Sequence, residues 1–228
     1  MNQIARWRDL DRERLLRIGR ELAVMAGGSI GSVLGGAVGV RLLTGCLTPA
    51  VYGQVALAMT IATLSNQVLF GPLANAVVRF FAPSQEEDKL DVFFATAMWV
   101  YGRAFVAMAL IGLLASVIAV VFLRGWSVLV AVTIAYATVI GINAGLDSVQ
   151  NAARQRSVVS YHGTLGQWLR FLCAVGVVYI FHAATGTAAI SGYLIAAIIV
   201  LLSQTLFLLK IFKNSILHFS VPTATIVE

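Results

Sequence analysis

Charged side chains inside long apolar runs are the first residues of this sequence that could take part in chemistry. Arg170 lies about twelve residues, or about 18 Å, into the run from 158 to 182, close to the middle of a helix that would span a membrane. An arginine at that depth costs at least about 2.5–3.5 kcal/mol, and such residues face a water-filled cavity or a partner charge. We expect Arg170 to face a cavity, and a buried ion pair is the alternative.

A second polar pattern follows the run from 52 to 81. Gln67, Asn75 and Arg79 recur at multiples of four residues, so they follow one slowly drifting side of a helix. As a helix the run is about 45 Å long, which exceeds the hydrocarbon core, so Arg79 should reach the inner membrane surface. One interpretation is that the Arg79 side chain extends along the apolar region and places its charge among the lipid headgroups.

A third set of charges lies nearer the ends of its runs. Asp147 stands near the end of the run from 126 to 149, and Arg103 lies about twelve residues into its own run, at a similar expected depth. Pairing opposite charges lowers the cost of keeping them in a membrane. The sequence therefore predicts a structural ion pair between Arg103 and Asp147. Asn143 precedes Asp147 at helical spacing.

Elements that could hold these residues follow from hydropathy. Of the 228 residues 59% are hydrophobic and only 11% are charged, and the mean hydropathy is +0.88. Soluble domains carry about 25% charged residues, so the composition predicts an integral membrane protein. Spanning helices need about 20 mostly apolar residues, and alternating strands of a barrel are not seen. We predict an all-α bundle of about six transmembrane helices, over 22–43, 52–81, 92–123, 126–149, 158–182 and 187–209.

Basic residues predict the orientation of this bundle. If both termini are cytoplasmic, most of the 16 Lys and Arg residues lie at or near the cytoplasmic ends of the spans. This distribution agrees with the positive-inside rule. The net charge of +6 is thereby explained by topology, and no nucleic-acid partner is expected. The chain divides into a basic amphipathic leader on the membrane lipids (1–21), a six-helix lobe (22–210) and a short cytoplasmic tail (211–228). The alternative for the leader is a solvated charged segment that only fixes the topology.

Glycines in the first run predict close helix packing. Gly27, Gly31, Gly35 and Gly39 recur every four residues. Small residues let helix backbones approach in lipid, where packing replaces the hydrophobic effect. We expect this stripe to lie against another helix.

Several motifs resemble a known family of transporters. Arg41–Leu43 ends the first run, "LTPAVYG" forms the turn that follows it, and "VRF" at 78–80 ends the second run. "NAARQR" after the fourth run and "SGYLIAAIIVLLSQTLFLLK" in the sixth add to the likeness. Together they resemble the N-terminal lobe of the polysaccharide and O-antigen flippases in the multidrug/oligosaccharidyl-lipid/polysaccharide exporter superfamily.

The resemblance implies movement of an undecaprenyl-pyrophosphate-linked oligosaccharide to the outer leaflet of the inner membrane, by alternating access between two six-helix lobes. Arginine has a planar fork of donors that suits phosphate oxygens. On this basis Arg170 would be the principal anion contact and Arg79 an entrance contact, with Asn75, Asn143 and Gln167 as polar lining.

One departure from the family concerns size, because its members have twelve or more spans. The chain would supply one lobe, completed by a second copy or by a separate partner lobe; an inactive truncated fragment is the alternative. No cofactor and no metal are expected. Cys46 and Cys173 are interpreted as small apolar residues, and His162 and His182 as residues of the membrane interface.

Three competing functions remain open at this stage. A drug/cation antiporter of the same superfamily would need a membrane-embedded acid, for which Asp147 is the deepest candidate. An intramembrane enzyme, such as a six-helix serine protease or a glycan polymerase, is the second. A protease would need a histidine beside its serine, and no histidine is expected at the depth of Ser29, so we expect no enzyme. A membrane scaffold would tolerate Arg170→Leu.

Overall fold

Helices make up the described part of the chain. The computed structural model describes residues 3–123 and 125–217, and no strand occurs within these ranges. Side chains of 3–18, 21 and 211–217 are outside the description, as are residues 218–228, so the expected amphipathic face of the leader and most of the tail lie there. The helices are α1 (Gln3–Cys46), α2 (Pro49–Ser65), α3 (Gly71–Glu86), α4 (Leu90–Phe122), α5 (Ser127–Ala152), α6 (Arg156–Ile180) and α7 (Gly186–Leu217).

Six segments of the described residues are long and apolar enough to cross a membrane, which confirms the predicted all-α polytopic architecture. Their outward faces carry large apolar side chains, as on α4 at Leu110, Leu113, Leu114 and Val117, each about half exposed or more. Lipid suits such a surface, whereas in water it would be a large exposed apolar patch. The spans are Leu22–Cys46, Pro49–Glu86, Leu90–Phe122, Ser127–Ala152, Arg156–Ile180 and Gly186–Lys210.

The second span is interrupted at its centre by a π-helical turn, Asn66–Phe70, between α2 and α3. Pro72 follows this turn and has no backbone N–H, so the regular ladder cannot continue through it. The Gly71 N–H bonds to the Asn66 carbonyl five residues earlier instead. Phe70 becomes fully buried and packs on Gly141 of α5, where a Cβ would overlap its ring.

Short turns with defined backbone geometry join the spans. Thr48 caps α2 by accepting a hydrogen bond from the Val51 N–H at 3.4 Å, and Pro49 occupies the first turn, where a missing N–H costs nothing. Left-handed residues end three helices on the other connections: Asp88 after α3, Arg154 after α5 and His182 after α6. Each reverses the chain within a few residues, which keeps successive spans antiparallel.

The glycine stripe of α1 packs against α6, as predicted, but it includes only three of the four expected glycines. A Cβ on Gly31, Gly35 or Gly39 would press on α6 side chains, whereas one on Gly27 would meet nothing within 4 Å. Four residues exceed one turn by about 40°, so Gly27 lies about 120° away from Gly39. Gly28, about 20° from Gly39, faces Ser160 of α6 in its place.

Candidate functional site

A polar cleft of about 180 Å³ lies among α5, α6 and α7. The helices around it are tightly joined: a Cβ on Gly192 of α7 would overlap the backbone of Ala174 on α6. The polar lining residues are Tyr136, Asn143 and Asp147 from α5, His162 and Arg170 from α6, and Tyr193 and Gln204 from α7.

Helical periodicity explains why these residues meet. On α5 the lining residues Tyr136, Asn143 and Asp147 recur at intervals of seven and four, which keeps them on one face. On α7, Tyr193 and Gln204 have the same separation as Tyr136 and Asp147 on α5, so they also share a face. Two small lining residues, Ala196 and Ala197, lie between them. Small side chains at the middle of the face leave the space that forms the cleft.

Arg170 is half-buried in this cleft and has no internal counter-charge. It makes no ion pair and no hydrogen bond with any described residue. Its guanidinium carbon lies 5.9 Å from the centre of the Tyr193 ring, which in turn lies 6.0 Å from the Tyr136 ring. The aromatic faces give the cation a weakly favourable environment without satisfying its five donors.

Asp147 lies at the opposite end of the cleft. Its Oδ1 accepts a hydrogen bond from Gln204 Nε2 at 2.6 Å, across the contact between α5 and α7. Asn143, one turn deeper on α5, donates from Nδ2 to the Ala197 carbonyl at 3.1 Å. Asn143 and Gln204 each keep a buried amide oxygen, Oδ1 and Oε1, that has no hydrogen-bond partner among the described residues.

The predicted ion pair between Arg103 and Asp147 is not formed in the described structure. Arg103 lies on an exposed face of α4, and its guanidinium carbon stacks 3.6 Å from the centre of the Trp99 ring. Arginine stacks well on aromatic faces, so it can remain at the lipid boundary without a carboxylate. Among described residues the ion pair that does form joins Lys89 to Glu87 at 2.7 Å, and this hydrogen bond lowers the pKa of Glu87.

Two of the five predicted binding residues, Arg170 and Asn143, line the cleft. The other three lie elsewhere. Asn75 and Arg79 are exposed on α3, where the Arg79 guanidinium carbon lies 5.6 Å from the Phe80 ring centre. Gln167 faces α1 instead, since a Cβ on Gly36 would lie 3.1 Å from its Nε2. The expectation that Gln167 lines the same site as Arg170 is therefore not met, because the glycine face of α1 leaves space for the Gln167 side chain there.

A serine and a histidine meet beside the cleft. His162, expected at the membrane interface, is only 4% exposed. Its Nε2 lies 3.0 Å from Ser203 Oγ, and its Nδ1 lies 3.0 Å from the Val158 carbonyl. A carbonyl oxygen only accepts, so Nδ1 donates to Val158, and in the neutral imidazole Nε2 then accepts from the serine hydroxyl. Ser203 stands inside α7, whose backbone N–H groups are used in the helix, so they cannot stabilise an oxyanion.

Two lining residues, Gln204 and Tyr193, had a signal that sequence interpretation missed. Gln204 is the amide in the otherwise apolar run "IIVLLSQTLFLL", and it lies on the same helical face as Tyr193. Pairing a buried amide on one span with the acid on another would have indicated the contact with Asp147. Within the described residues no three His, Cys, Asp or Glu side chains cluster as metal ligands.

Neither a family model, nor a curated protein, nor a solved structure matches this chain. The chain is an all-helical membrane protein with six candidate spans in its described part and a polar cleft between its last three helices.

Proposed function

We propose that the chain is one lobe of a transporter that moves a lipid-linked anionic oligosaccharide across the cytoplasmic membrane. The observation that carries the proposal is Arg170, a half-buried guanidinium that lines a polar cleft and has no ion pair or hydrogen bond among the described residues. A buried charge without a partner is costly, and the cost falls when an anionic ligand supplies one. A pyrophosphate linker offers oxygens that suit the guanidinium fork.

The volume of the cleft suits the charged linker of the substrate but not its glycan. Sites for drug-sized ligands occupy about 300–1,000 Å³. A cleft of about 180 Å³ accommodates a phosphate-sized group, and the glycan needs a larger space beside it. A second six-helix lobe, from another copy of this chain or from a separate protein, would supply that space. Transport of this kind requires no covalent chemistry, and the chain is proposed to bind and release rather than to react.

The experiment that tests this function measures lipid-linked oligosaccharide held on the inner leaflet of cells that lack the chain. Deletion should cause accumulation, wild type should relieve it, and Arg170→Leu should not. Arg103→Leu is the matched control, because Arg103 is also an arginine within a span but lies on Trp99 outside the cleft. Absence of accumulation after deletion would count against the proposal and would favour an inactive fragment.

A drug/cation antiporter is the second candidate, and one observation favours it. Asp147 lines the same cleft and is hydrogen-bonded to Gln204 rather than neutralised by a described cation. An antiporter would use that carboxylate to bind cations. Loss of drug resistance in Asp147→Asn, with normal oligosaccharide export, would support this function and exclude the first.

A further inference from the structure

A groove of about 400 Å³ lies between α3 and α4, away from the polar cleft. Its walls are mostly apolar, and Phe80 in one wall is 54% exposed, so the groove opens toward the surrounding lipid. The wall hydroxyls of Ser84 and Thr96 donate to the carbonyls of Phe80 and Val92 in their own helices, each at 2.9 Å. These hydroxyls are therefore satisfied, and the α3–α4 groove suits an apolar occupant.

The α3–α4 groove has about the length of one lipid leaflet. Its lining residues extend along α3 from Leu73 to Ser84 and along α4 from Tyr101 to Lys89, or about 17 Å and about 18 Å of helix. The hydrocarbon core of a bilayer is about 30 Å thick, so one leaflet contributes about 15 Å. A lipid acyl chain therefore fits along the groove, with its headgroup at the turn that joins the two helices.

The mouth of the groove, at this turn, carries a pair of opposite charges. Lys89 lines the groove, and its Nζ lies 2.7 Å from Glu87 Oε2, with both side chains more than half exposed. An ammonium group has three N–H donors and a carboxylate has two oxygens, so each partner keeps free hydrogen-bonding capacity. The pair therefore offers a cation to a lipid phosphate and an anion to a positively charged group on the same headgroup.

The charges around this pair disfavour an anionic lipid. Residues 79–91 contain two cations, Arg79 and Lys89, and four carboxylates, so their net charge is −2. Within a Debye length of about 10 Å this excess repels a headgroup that is negative overall, whereas a zwitterionic headgroup has no net charge to repel. The four carboxylates belong to Glu86, Glu87, Asp88 and Asp91.

We propose that the α3–α4 groove binds phosphatidylethanolamine, with an acyl chain in the groove, the phosphate on Lys89 and the primary ammonium on Glu87. A primary ammonium donates charge-assisted hydrogen bonds to a carboxylate, whereas the quaternary ammonium of phosphatidylcholine has no N–H to donate. Phosphatidylglycerol has no cation for Glu87. Neither Arg170 nor the polar cleft takes part, so lipid binding here is independent of the proposed function.

The first experiment measures lipid binding to the purified full chain by native mass spectrometry, with three phospholipids that share the same acyl chains. Phosphatidylethanolamine should bind about two- to fivefold more tightly than phosphatidylcholine, the effect expected of one exposed ion pair. Phosphatidylglycerol should bind more weakly than either. Binding of phosphatidylethanolamine that is no tighter than that of the other two lipids would overturn the proposal.

The second experiment tests the headgroup contact with Glu87→Gln, which should remove the preference for phosphatidylethanolamine over phosphatidylcholine. Glu86→Gln is the matched control, because Glu86 lines a separate cavity between the end of α3 and the turn after α5. The control should keep the preference. A preference that persists in Glu87→Gln, or that is lost equally in both variants, would overturn the assignment of the ammonium to Glu87.

The third experiment tests the groove with Ala76→Phe, because Ala76 lines it and a larger side chain would occupy the space of the acyl chain. Loss of about two buried methylene contacts should weaken binding of all three lipids about tenfold. Ala109→Phe, at an exposed position of α4 outside the groove, should bind as wild type does. Unchanged lipid binding by a folded Ala76→Phe chain would overturn the groove as the site, and if this variant does not fold, Glu87→Gln decides.

Discussion

Arg170 is partly buried and has no internal partner. Its removal should therefore weaken anion binding without destabilising the fold. Breaking a buried ion pair costs about 3–5 kcal/mol, whereas removing an unpaired charge costs little or stabilises the fold. Arg170→Leu should therefore leave the melting temperature of the purified protein unchanged or raise it, while it removes anion binding. A marked fall in melting temperature, in a chain whose Arg103→Leu control melts normally, would mean that Arg170 is a structural ion-pair residue.

Asp147 shows how far residue-level prediction reached. Its position near the inner end of a span predicts a costly buried carboxylate, and the similar expected depth of Arg103 predicts that the two pair. The structure gives each residue another partner, Gln204 for Asp147 and Trp99 for Arg103. Depth along a helix follows from the sequence, but the rotation of α4 relative to α5 depends on packing among all the helices, and periodicity alone does not specify it.

At the scale of elements, the contact between α1 and α6 depends on glycines that have no space for a side chain. Gly39→Ala should destabilise the fold by about 1–3 kcal/mol, because the new Cβ overlaps the Phe171 ring, including Cγ close to the backbone. Gly27→Ala is the matched control, since its Cβ would meet nothing within 4 Å. Thermal unfolding of both variants in the same detergent measures the difference.

Two outcomes decide this packing prediction. A lower melting temperature for Gly39→Ala, partly restored by the added change Phe171→Leu, would support the contact. Equal melting temperatures for Gly39→Ala and Gly27→Ala would contradict it, because both helices would then tolerate a methyl group at either position.

The elements themselves were predictable because hydropathy and length determine a spanning helix almost alone. All six spans were located within a few residues, apart from the second, whose described helix continues through Pro83 to Glu86. Pro72 within the second run predicts a kink or break, and the structure forms it as the π-helical turn Asn66–Phe70. Which helical faces meet was less predictable, as Gly27 and Gln167 show, because a drift of about 40° per four residues accumulates along each contact.

At the scale of the whole molecule, the distribution of basic residues predicts that both termini are cytoplasmic. A chain with Cys46→Ala and Cys173→Ala provides a background without cysteines. Gln85→Cys, exposed at the end of α3, or Ala184→Cys, exposed in the loop after α6, is introduced into it. A membrane-impermeant maleimide should label Ala184→Cys in intact cells and Gln85→Cys only after permeabilisation. The reverse pattern would invert the topology and place Asp147 near the outer surface.

The polar cleft is formed by α5, α6 and α7 together, and the central claim is that Arg170 in this cleft binds the anionic linker of a lipid-bound glycan. The most direct test is the affinity of the purified chain for undecaprenyl pyrophosphate, compared among wild type, Arg170→Leu and Arg103→Leu. Charge-assisted hydrogen bonds contribute about 1.5–3 kcal/mol, so Arg170→Leu should bind about 10–100-fold more weakly while Arg103→Leu binds as wild type does. Equal affinity in all three proteins would contradict the account.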